Sequence, residues 1–174
     1  MGEDLLAKLY RPPPLRMMNA FGRALAGFGV VTPISLEAES LLVAASKATG
    51  LSDFGPDSFR LGLAKLLESI EAKGRLMLFG RYFARLQLVE LMSHRLQLTD
   101  YRKRRPEIVD EVIQRPLFIL GLQRTGTTLL YGLLAEGPAH RAPLSWEIDQ
   151  PCPPAETETY LADPRIEMTR ARFD

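Results

Sequence analysis

A short apolar run bounded by proline and glycine constrains this chain more than any other segment. The run covers residues 117–120, with Pro116 before it and Gly121 after it. Such a run is typical of a strand that is buried on both faces of a parallel sheet. By Thr128 the pattern has become helical, so the sequence predicts a strand, a glycine-bounded loop and a helix in succession. That order is the architecture of a phosphate-binding turn.

The loop that follows this segment carries two glycines at the spacing of a nucleotide-binding loop. It reads GLQRTGTT over residues 121–128 and is called the 121–128 loop below. Gly126 lets the backbone curl, and the amides of residues 125–128 are predicted to point at an anion at the positive end of the following helix. Thr127 and Thr128 add hydroxyl donors. The loop is therefore a candidate anion site.

The loop departs from that of an ordinary nucleoside triphosphatase at one position. Such an enzyme uses a lysine after the second glycine, where this chain has Thr127. The cation is instead Arg124, whose planar guanidinium can bind the oxygens of a terminal phosphoryl or sulfuryl group in pairs. No credible magnesium-binding carboxylate lies near the loop. A nucleotide kinase or NTPase-like protein is one alternative, and a non-enzymatic helical interaction module is another.

Composition excludes several classes of protein. The net charge of +1 over 174 residues gives no broad field for nucleic acid, so an anion site must be local. The single cysteine cannot form an internal disulfide, which favours a reducing compartment. No segment reaches the length of a membrane span, and Glu3 and Asp4 stand where a signal peptide needs positive charge. These features predict a cytoplasmic protein.

Helical periodicity dominates the chain before this segment. We expect a helical N-terminal region over residues 1–113 and the truncated start of an α/β core over residues 114–174, the two together forming one domain. Leucine spacing predicts four main helices and one short one. The expected helices cover residues 15–29, 35–49, 56–74, 75–99 and 106–114, and the fourth buries a stripe of Leu76, Phe79, Phe83, Leu86, Val89 and Leu96. The basic run at residues 102–105 is interpreted as a solvated helix end.

The sequence around the 121–128 loop resembles a known signature. LQRTGTTLL, residues 122–130, is similar to the P-R-S-G-T-T-L-L signature of the 5′-phosphosulfate-binding loop of sulfotransferases. Gln123 replaces the usual proline, and Thr125 replaces serine but keeps its hydroxyl. Flanking segments also resemble bacterial members of this family, so the resemblance spans most of the chain. These segments are DFGPD at residues 53–57, APLSWE at 142–147 and PCPP at 151–154.

The resemblance implies a fold, a donor and a set of binding residues. The expected fold is α/β, a P-loop NTPase-like sulfotransferase fold with an incomplete sheet and a helical N-terminal layer. The expected reaction transfers a sulfuryl group from 3′-phosphoadenosine 5′-phosphosulfate (PAPS) to an acceptor hydroxyl or amine, without a metal. Arg124 would bind the 5′-phosphosulfate and stabilise charge on the departing oxygen. Thr125, Gly126, Thr127 and Thr128 would hold the 5′-phosphate.

The resemblance also implies a general base. In tyrosylprotein-type sulfotransferases this base is a glutamate about two dozen residues past the loop arginine, a spacing that Glu147 matches. Trp146 would line the acceptor pocket or pack in the core, and Glu147 is otherwise an exposed carboxylate or the partner of an arginine. His140 is a weaker candidate for the base, and Cys152 has no neighbour in sequence that favours a nucleophile.

The sequence leaves the acceptor and the donor's 3′-phosphate site open. In this family the residues that bind the 3′-phosphate lie far beyond the loop, so Asp163 and Arg165 come too early for that role. We therefore expect the chain to be an N-terminal fragment that is inactive by itself. The acceptor would be a small molecule, a glycan or a peptide, and the oligomeric state is not specified.

Overall fold

The computed structural model describes residues 13–27, 34–122, 124–138 and 140–173. The chain divides into two compact units, residues 1–99 and residues 100–174. The helices within the described ranges are α1 Pro13–Gly27, α2 Ala38–Thr49, α3 Ser58–Lys73, α4 Leu78–Arg104, a 3₁₀ helix Pro106–Asp110, α5 Thr127–Ala135, α6 Ser145–Asp149 and α7 Arg165–Phe173. The boundary that the sequence predicts after residue 113 stays a prediction.

Leucines at helical spacing build the core of the first unit. Residues three or four positions apart lie on one face of a helix, so each helix presents a short apolar stripe to its neighbours. The stripe of α2 packs with that of α3, and α4 adds a third. Leu36 and Phe54 from the loops complete this core, whose buried residues are Leu36, Leu41, Leu42, Ala45, Phe54, Leu63, Leu67, Leu88 and Leu96.

Arginines on α4 bind the loops of the first unit. The Arg85 guanidinium donates to the Ser35 carbonyl at 2.5 Å. The Arg95 guanidinium donates to the carbonyls of Phe54 at 2.7 Å and Pro56 at 2.9 Å. Loop carbonyls have no partner in a helix or sheet, and a buried one that lacks a donor costs about 1–3 kcal/mol. These contacts therefore fix both loops to α4.

The predicted buried stripe of α4 is only partly correct. Leu96 is fully buried, but Phe83 and Leu86 are 48% and 47% exposed. The helix carries apolar residues on more than one face, so periodicity alone does not decide which face turns inward. The buried face instead includes Leu88, which the sequence did not single out.

The predicted α/β fold and its sheet are wrong for the described part of the chain. Residues 117–120, the predicted strand, and residues 140–144 have no regular secondary structure, and no described residue lies in a strand. A strand exists only where its backbone hydrogen bonds to a neighbouring strand, and neither segment has such a partner among the described residues. The apolar side chains of the first segment are correspondingly exposed, including Phe118 at 77% and Leu120 at 91%.

Most of the predicted helices are present. α2, α3 and α4 lie within the expected ranges or close to them, whereas the short helix predicted over residues 106–114 is the single 3₁₀ turn Pro106–Asp110. The expected end of the first helix at Gly29 lies outside the described residues, as does Gln123. Among the described helices, none has the length and apolar character needed to cross a membrane.

We predict that Leu96→Ala strongly destabilises the first unit. Leu96 is fully buried on α4, so truncation leaves a cavity and costs about 2–5 kcal/mol. Leu91→Ala on the same helix is the matched control, because Leu91 is 57% exposed and such changes stay within about 0.5 kcal/mol. Urea unfolding followed by circular dichroism measures both. Equal losses of unfolding free energy in the two variants would contradict this description of the core.

Candidate functional site

The 121–128 loop makes a tight backbone turn into α5. Arg124 has a φ of 63° and Gly126 a φ of 85°, both in the left-handed region. Gly126 adopts this conformation without steric cost, whereas Arg124 carries strain of about 1–3 kcal/mol. Helix α5 begins directly afterwards, at Thr127. The turn thus places the arginine immediately before the positive end of a helix.

Gly121 lets the two ends of the loop approach closely. A Cβ atom at this position would lie 2.8 Å from Thr127 Cγ2 and 2.9 Å from Thr125 Oγ1. Real Cβ atoms do not tolerate such distances, so a larger residue would push the loop open. The sequence identified this glycine from the spacing, and its steric reason is the contact with the first residue of α5.

The Thr125 hydroxyl closes the loop on itself. It donates a hydrogen bond to the Leu122 carbonyl at 2.7 Å. This bond uses the one proton of the hydroxyl, so Thr125 offers an anion its backbone N–H rather than its side chain. In this conformation the backbone N–H of Thr125, and not its hydroxyl, is the group that could bind the predicted anion.

The remaining donors of the loop are available to a ligand. The first backbone N–H groups of α5, including those of Thr127 and Thr128, have no acceptor within the helix. The Arg124 guanidinium is exposed and makes no hydrogen bond or ion pair to another described residue. The loop thus combines a cradle of amides at the start of α5 with an exposed arginine three residues earlier in the chain, a combination that suits an anion with several oxygens.

A tyrosine connects α5 to the segment that carries Glu147. The Tyr131 hydroxyl, one turn into α5, donates to the Pro143 carbonyl. Pro143 precedes Leu144, which is the N-cap residue of α6. This hydrogen bond ties the helix that begins at the loop to the start of the helix that bears Glu147.

Glu147 accepts three hydrogen bonds at the start of α6. Its Oε2 accepts the Leu144 backbone N–H at 2.7 Å and the Tyr160 hydroxyl at 2.9 Å, and its Oε1 accepts from Arg141. The first contact is the glutamate half of a capping box, because Leu144 has no side-chain acceptor to complete it. None of these partners belongs to the 121–128 loop, so the two predicted site groups are held by separate contacts.

These contacts determine the protonation of Glu147. Burial alone would raise the pKa of this carboxyl group, since it disfavours the charged form. Hydrogen bonds from the Leu144 backbone, Tyr160 and Arg141 together outweigh burial and hold the pKa below its ordinary value. Glu147 is therefore ionised at neutral pH, as a general base must be, although a lowered pKa makes it a weaker base.

An arginine–aspartate pair that the sequence assigned no role lies beside this cluster. The Arg165 guanidinium binds both carboxylate oxygens of Asp163, at 2.9 and 2.6 Å, and donates to the carbonyls of Gln150 and Pro153. It also lies over the buried Trp146 ring, 4.8 Å from the centroid. Neither this ion pair nor its contact with Trp146 was predicted from the sequence.

A cavity of about 520 Å³ opens next to the Glu147 cluster. Its wall includes His140, Arg141, Thr157 and Tyr160, together with small apolar residues. Arg141 and Tyr160 therefore contact both the cavity and the Glu147 carboxylate, while Glu147 itself does not line it. Sequence analysis also named His140 and Trp146. His140 lies on the wall of this cavity, and Trp146 is buried in the packed interior.

Cys152 has the character of an unreactive thiol. Burial raises its pKa, which Arg104, Arg165 and Arg102 only partly oppose. The thiolate is the nucleophilic form of cysteine, so little of it exists at neutral pH. Within the described ranges no three acidic, histidine or cysteine side chains come together as a metal site would require.

Comparison with known proteins identifies the family. A family model described as "Sulfotransferase family" matches residues 116–174. The structure resembles the sulfotransferase STF1 from Mycobacterium tuberculosis, with a TM-score of 0.72 and 34% sequence identity over 82% of this chain and 40% of that one. It also resembles STF9 from Mycobacterium avium, with a TM-score of 0.72 and 35% identity over 82% of this chain and 37% of that one. The chain belongs to the sulfotransferase family.

The match has a limited extent. This sulfotransferase chain spans about two fifths of the length of the two mycobacterial structures. No curated protein sequence matches it. The resemblance of the 121–128 loop and its flanking segments to sulfotransferases is confirmed at the level of the family.

We predict a pH-dependent contribution of the Asp163–Arg165 pair to stability. The Arg165 side chain lowers the pKa of Asp163 from 3.8 to about 2. A lowered pKa in the folded state stabilises the fold fully above the ordinary pKa, and this stabilisation is lost as the pH falls through the folded-state value. The loss in unfolding free energy caused by Asp163→Asn should therefore be constant above pH 3.8 and shrink between 3.8 and about 2.

Urea unfolding at a series of pH values measures this difference. Glu167→Gln is the control, since Glu167 forms an exposed pair with Arg170 in which both side chains are more than half exposed. Such a pair contributes at most about 1 kcal/mol. If the destabilisation caused by Asp163→Asn stays the same as the pH is lowered to about 2, the ion pair is not its source.

Proposed function

We propose that the chain binds the sulfuryl donor PAPS through the 121–128 loop and contributes to transfer of the sulfuryl group to an acceptor hydroxyl or amine. The observation that carries the proposal is the loop geometry in a member of the sulfotransferase family. The close approach at Gly121, the left-handed Arg124 and the start of α5 at Thr127 make a cradle for a multi-oxygen anion. We also infer a cytoplasmic location, which the single unpaired cysteine supports.

The residues of the loop fit the 5′-phosphosulfate group. Backbone amides at the start of α5 would hold the 5′-phosphate, and the Arg124 guanidinium would bind the oxygens next to it. The donor supplies an activated sulfuryl group when it is bound. Because no covalent enzyme intermediate is needed for such transfer, the chain's own work is to position the reactants and to stabilise charge.

Arg124 is suited to stabilise the charge that develops on the leaving group. Its side chain is exposed and makes no bond to another described residue, so binding an anion breaks no ion pair between Arg124 and that part of the chain. The left-handed backbone at Arg124, just before the start of α5, would hold the side chain near the backbone N–H groups of that helix. Thr127, which replaces the lysine of nucleoside triphosphatases, adds no charge and so disfavours triphosphate chemistry.

Glu147 is the residue that we propose as the general base. It is ionised at neutral pH, and the cavity beside it is bounded by two of its partners, Arg141 and Tyr160. An acceptor in this cavity would reach the carboxylate by exchanging one of the three existing hydrogen bonds. The Arg141 contact is the easiest to exchange, because its side chain is 65% exposed and water competes for it.

We predict that Arg124→Ala weakens binding of 3′-phosphoadenosine 5′-phosphate about tenfold to a hundredfold. Loss of a charge-assisted bidentate contact costs about 1.5–3 kcal/mol. Arg124→Lys should recover part of the affinity, since it keeps the charge but loses the planar pair of donors. Calorimetric titration of any chain that contains residues 1–174 measures these values.

Arg102→Ala is the matched control for this prediction. Arg102 is exposed and belongs to the basic run at the end of α4, a local concentration of positive charge outside the 121–128 loop. Its removal should leave the affinity unchanged. An equal loss in the Arg102 and Arg124 variants, or a preference for ATP with Mg²⁺ over 3′-phosphoadenosine 5′-phosphate, would count against the proposed site.

We predict that Glu147→Gln lowers kcat about 10²–10⁴-fold with little change in donor affinity. Glutamine cannot accept the acceptor proton, and loss of a general base has an effect of this size. The control is Arg141→Gln, which breaks the same ion pair but keeps the carboxylate. Sulfuryl transfer from PAPS, measured with both variants in an active chain that contains residues 1–174, separates the two roles. If both variants lose turnover equally, Glu147 acts through the ion pair and the base lies elsewhere.

A further inference from the structure

Arg165 occupies a position in α7 that its charge does not favour. It is the first residue of that helix, where the positive end of the helix dipole repels a cation. Its side chain is only 13% exposed, and a buried charge needs compensating contacts. Helix stability therefore does not explain an arginine at this position.

The compensating contacts use four bonds of the guanidinium. Nε and Nη2 donate to the two Asp163 oxygens at 2.9 and 2.6 Å. Nη1 donates to the carbonyls of Gln150 at 2.8 Å and Pro153 at 2.5 Å. Asp163 in turn accepts the backbone N–H of Arg165 at 2.9 Å, as capping side chains do. The guanidinium plane is thereby fixed from three directions.

The fixed guanidinium is the first member of a series of contacts that ends at Glu147. It lies over the Trp146 ring at 4.8 Å, and the Trp146 and Tyr160 rings pack with their centroids 5.6 Å apart. The Tyr160 hydroxyl then donates to Glu147 Oε2 at 2.9 Å. Trp146 is 4% exposed, so its ring has little freedom to move within this series.

We propose that Arg165, fixed by Asp163, is a positioning residue that holds Trp146 and Tyr160 in place and thereby orients the Glu147 carboxylate. The inference rests on the proposed role of Glu147 as the base. Arg165 does not contact the cavity; it acts through the two aromatic rings. A lysine cannot reproduce this arrangement, because it lacks the planar set of donors that binds Asp163 and both carbonyls at once.

The test measures the two rings directly. The chain has one tryptophan, so its fluorescence reports on Trp146 alone. Nuclear magnetic resonance of ¹³C-labelled tyrosine, with Tyr160→Phe for assignment, follows the titration of Tyr160. Burial raises the pKa of Tyr160 most, the hydrogen bond to Glu147 raises it further, and Arg141 opposes them. The variants are Arg165→Met, Arg165→Lys and Asp163→Asn, and both ring signals are measured on the 174-residue chain, in which Trp146 is the one tryptophan.

We expect Arg165→Met to shift the Trp146 emission to longer wavelength and to lower the pKa of Tyr160. Glu147→Gln should also lower the pKa of Tyr160. For Arg165→Lys, the emission wavelength and the Tyr160 pKa should both lie between the values of Arg165→Met and those of the unmodified chain. Arg170→Met is the matched control, because Arg170 lies on the same helix in an exposed pair with Glu167 and should change neither signal. If Arg165→Met does not fold, Asp163→Asn and Arg165→Lys decide the outcome.

Turnover separates this inference from the proposed base. If Arg165 positions Glu147, Arg165→Met lowers kcat about 10²-fold with donor affinity retained, as small displacements of catalytic groups do, and Arg165→Lys recovers part of it. Folded Arg165 variants with unchanged emission, unchanged Tyr160 titration or full kcat overturn the positioning role. Full turnover by Glu147→Gln instead overturns the proposed base, and that result is read independently of the two ring signals.

Discussion

Backbone carbonyl groups in the loops must find donors, and in each unit arginine side chains supply them. Arg85 and Arg95 do so in the first unit. In the second unit Arg165 binds the carbonyls of Gln150 and Pro153. A guanidinium has five N–H donors in one plane, so a single residue can hold two carbonyls and a carboxylate together. Loops without regular hydrogen bonding thereby keep one conformation, and the segment around Glu147 depends on this.

The contacts of Glu147 combine a structural and a chemical role. The backbone N–H of Leu144 caps α6, while Tyr160 and Arg141 help to keep the carboxylate ionised. A carboxylate held by several donors is well oriented but binds a proton less strongly. Orientation and basicity therefore oppose each other here. The exposed Arg141 contact is the one that an occupant of the cavity can exchange with the least cost.

Local sequence signals predicted the helices and the loop because those features depend on neighbouring residues. Gly50 ends α2 and Gly126 precedes α5, and both adopt the left-handed conformation that glycine reaches without steric cost. The predicted sheet is wrong for the described residues, because a sheet does not depend on neighbouring residues alone. Residues 117–120 have the composition of a buried strand, but composition cannot supply the neighbouring strand that their backbone requires. Apolar residues on more than one face of α4 likewise made the predicted buried stripe only partly correct, because the packing of neighbouring helices selects the buried face.

The amino-acid sequence by itself determined the helical periodicity of the first unit, the glycine spacing of the 121–128 loop and the cation at Arg124. Each is set by residues a few positions apart, which act through backbone sterics and helix geometry. Only the tertiary structure decided that Tyr160 donates to Glu147 and that Arg165 lies over Trp146. These pairs join residues from separate elements, and their geometry depends on how α6, α7 and the loop between them pack, which no local pattern specifies.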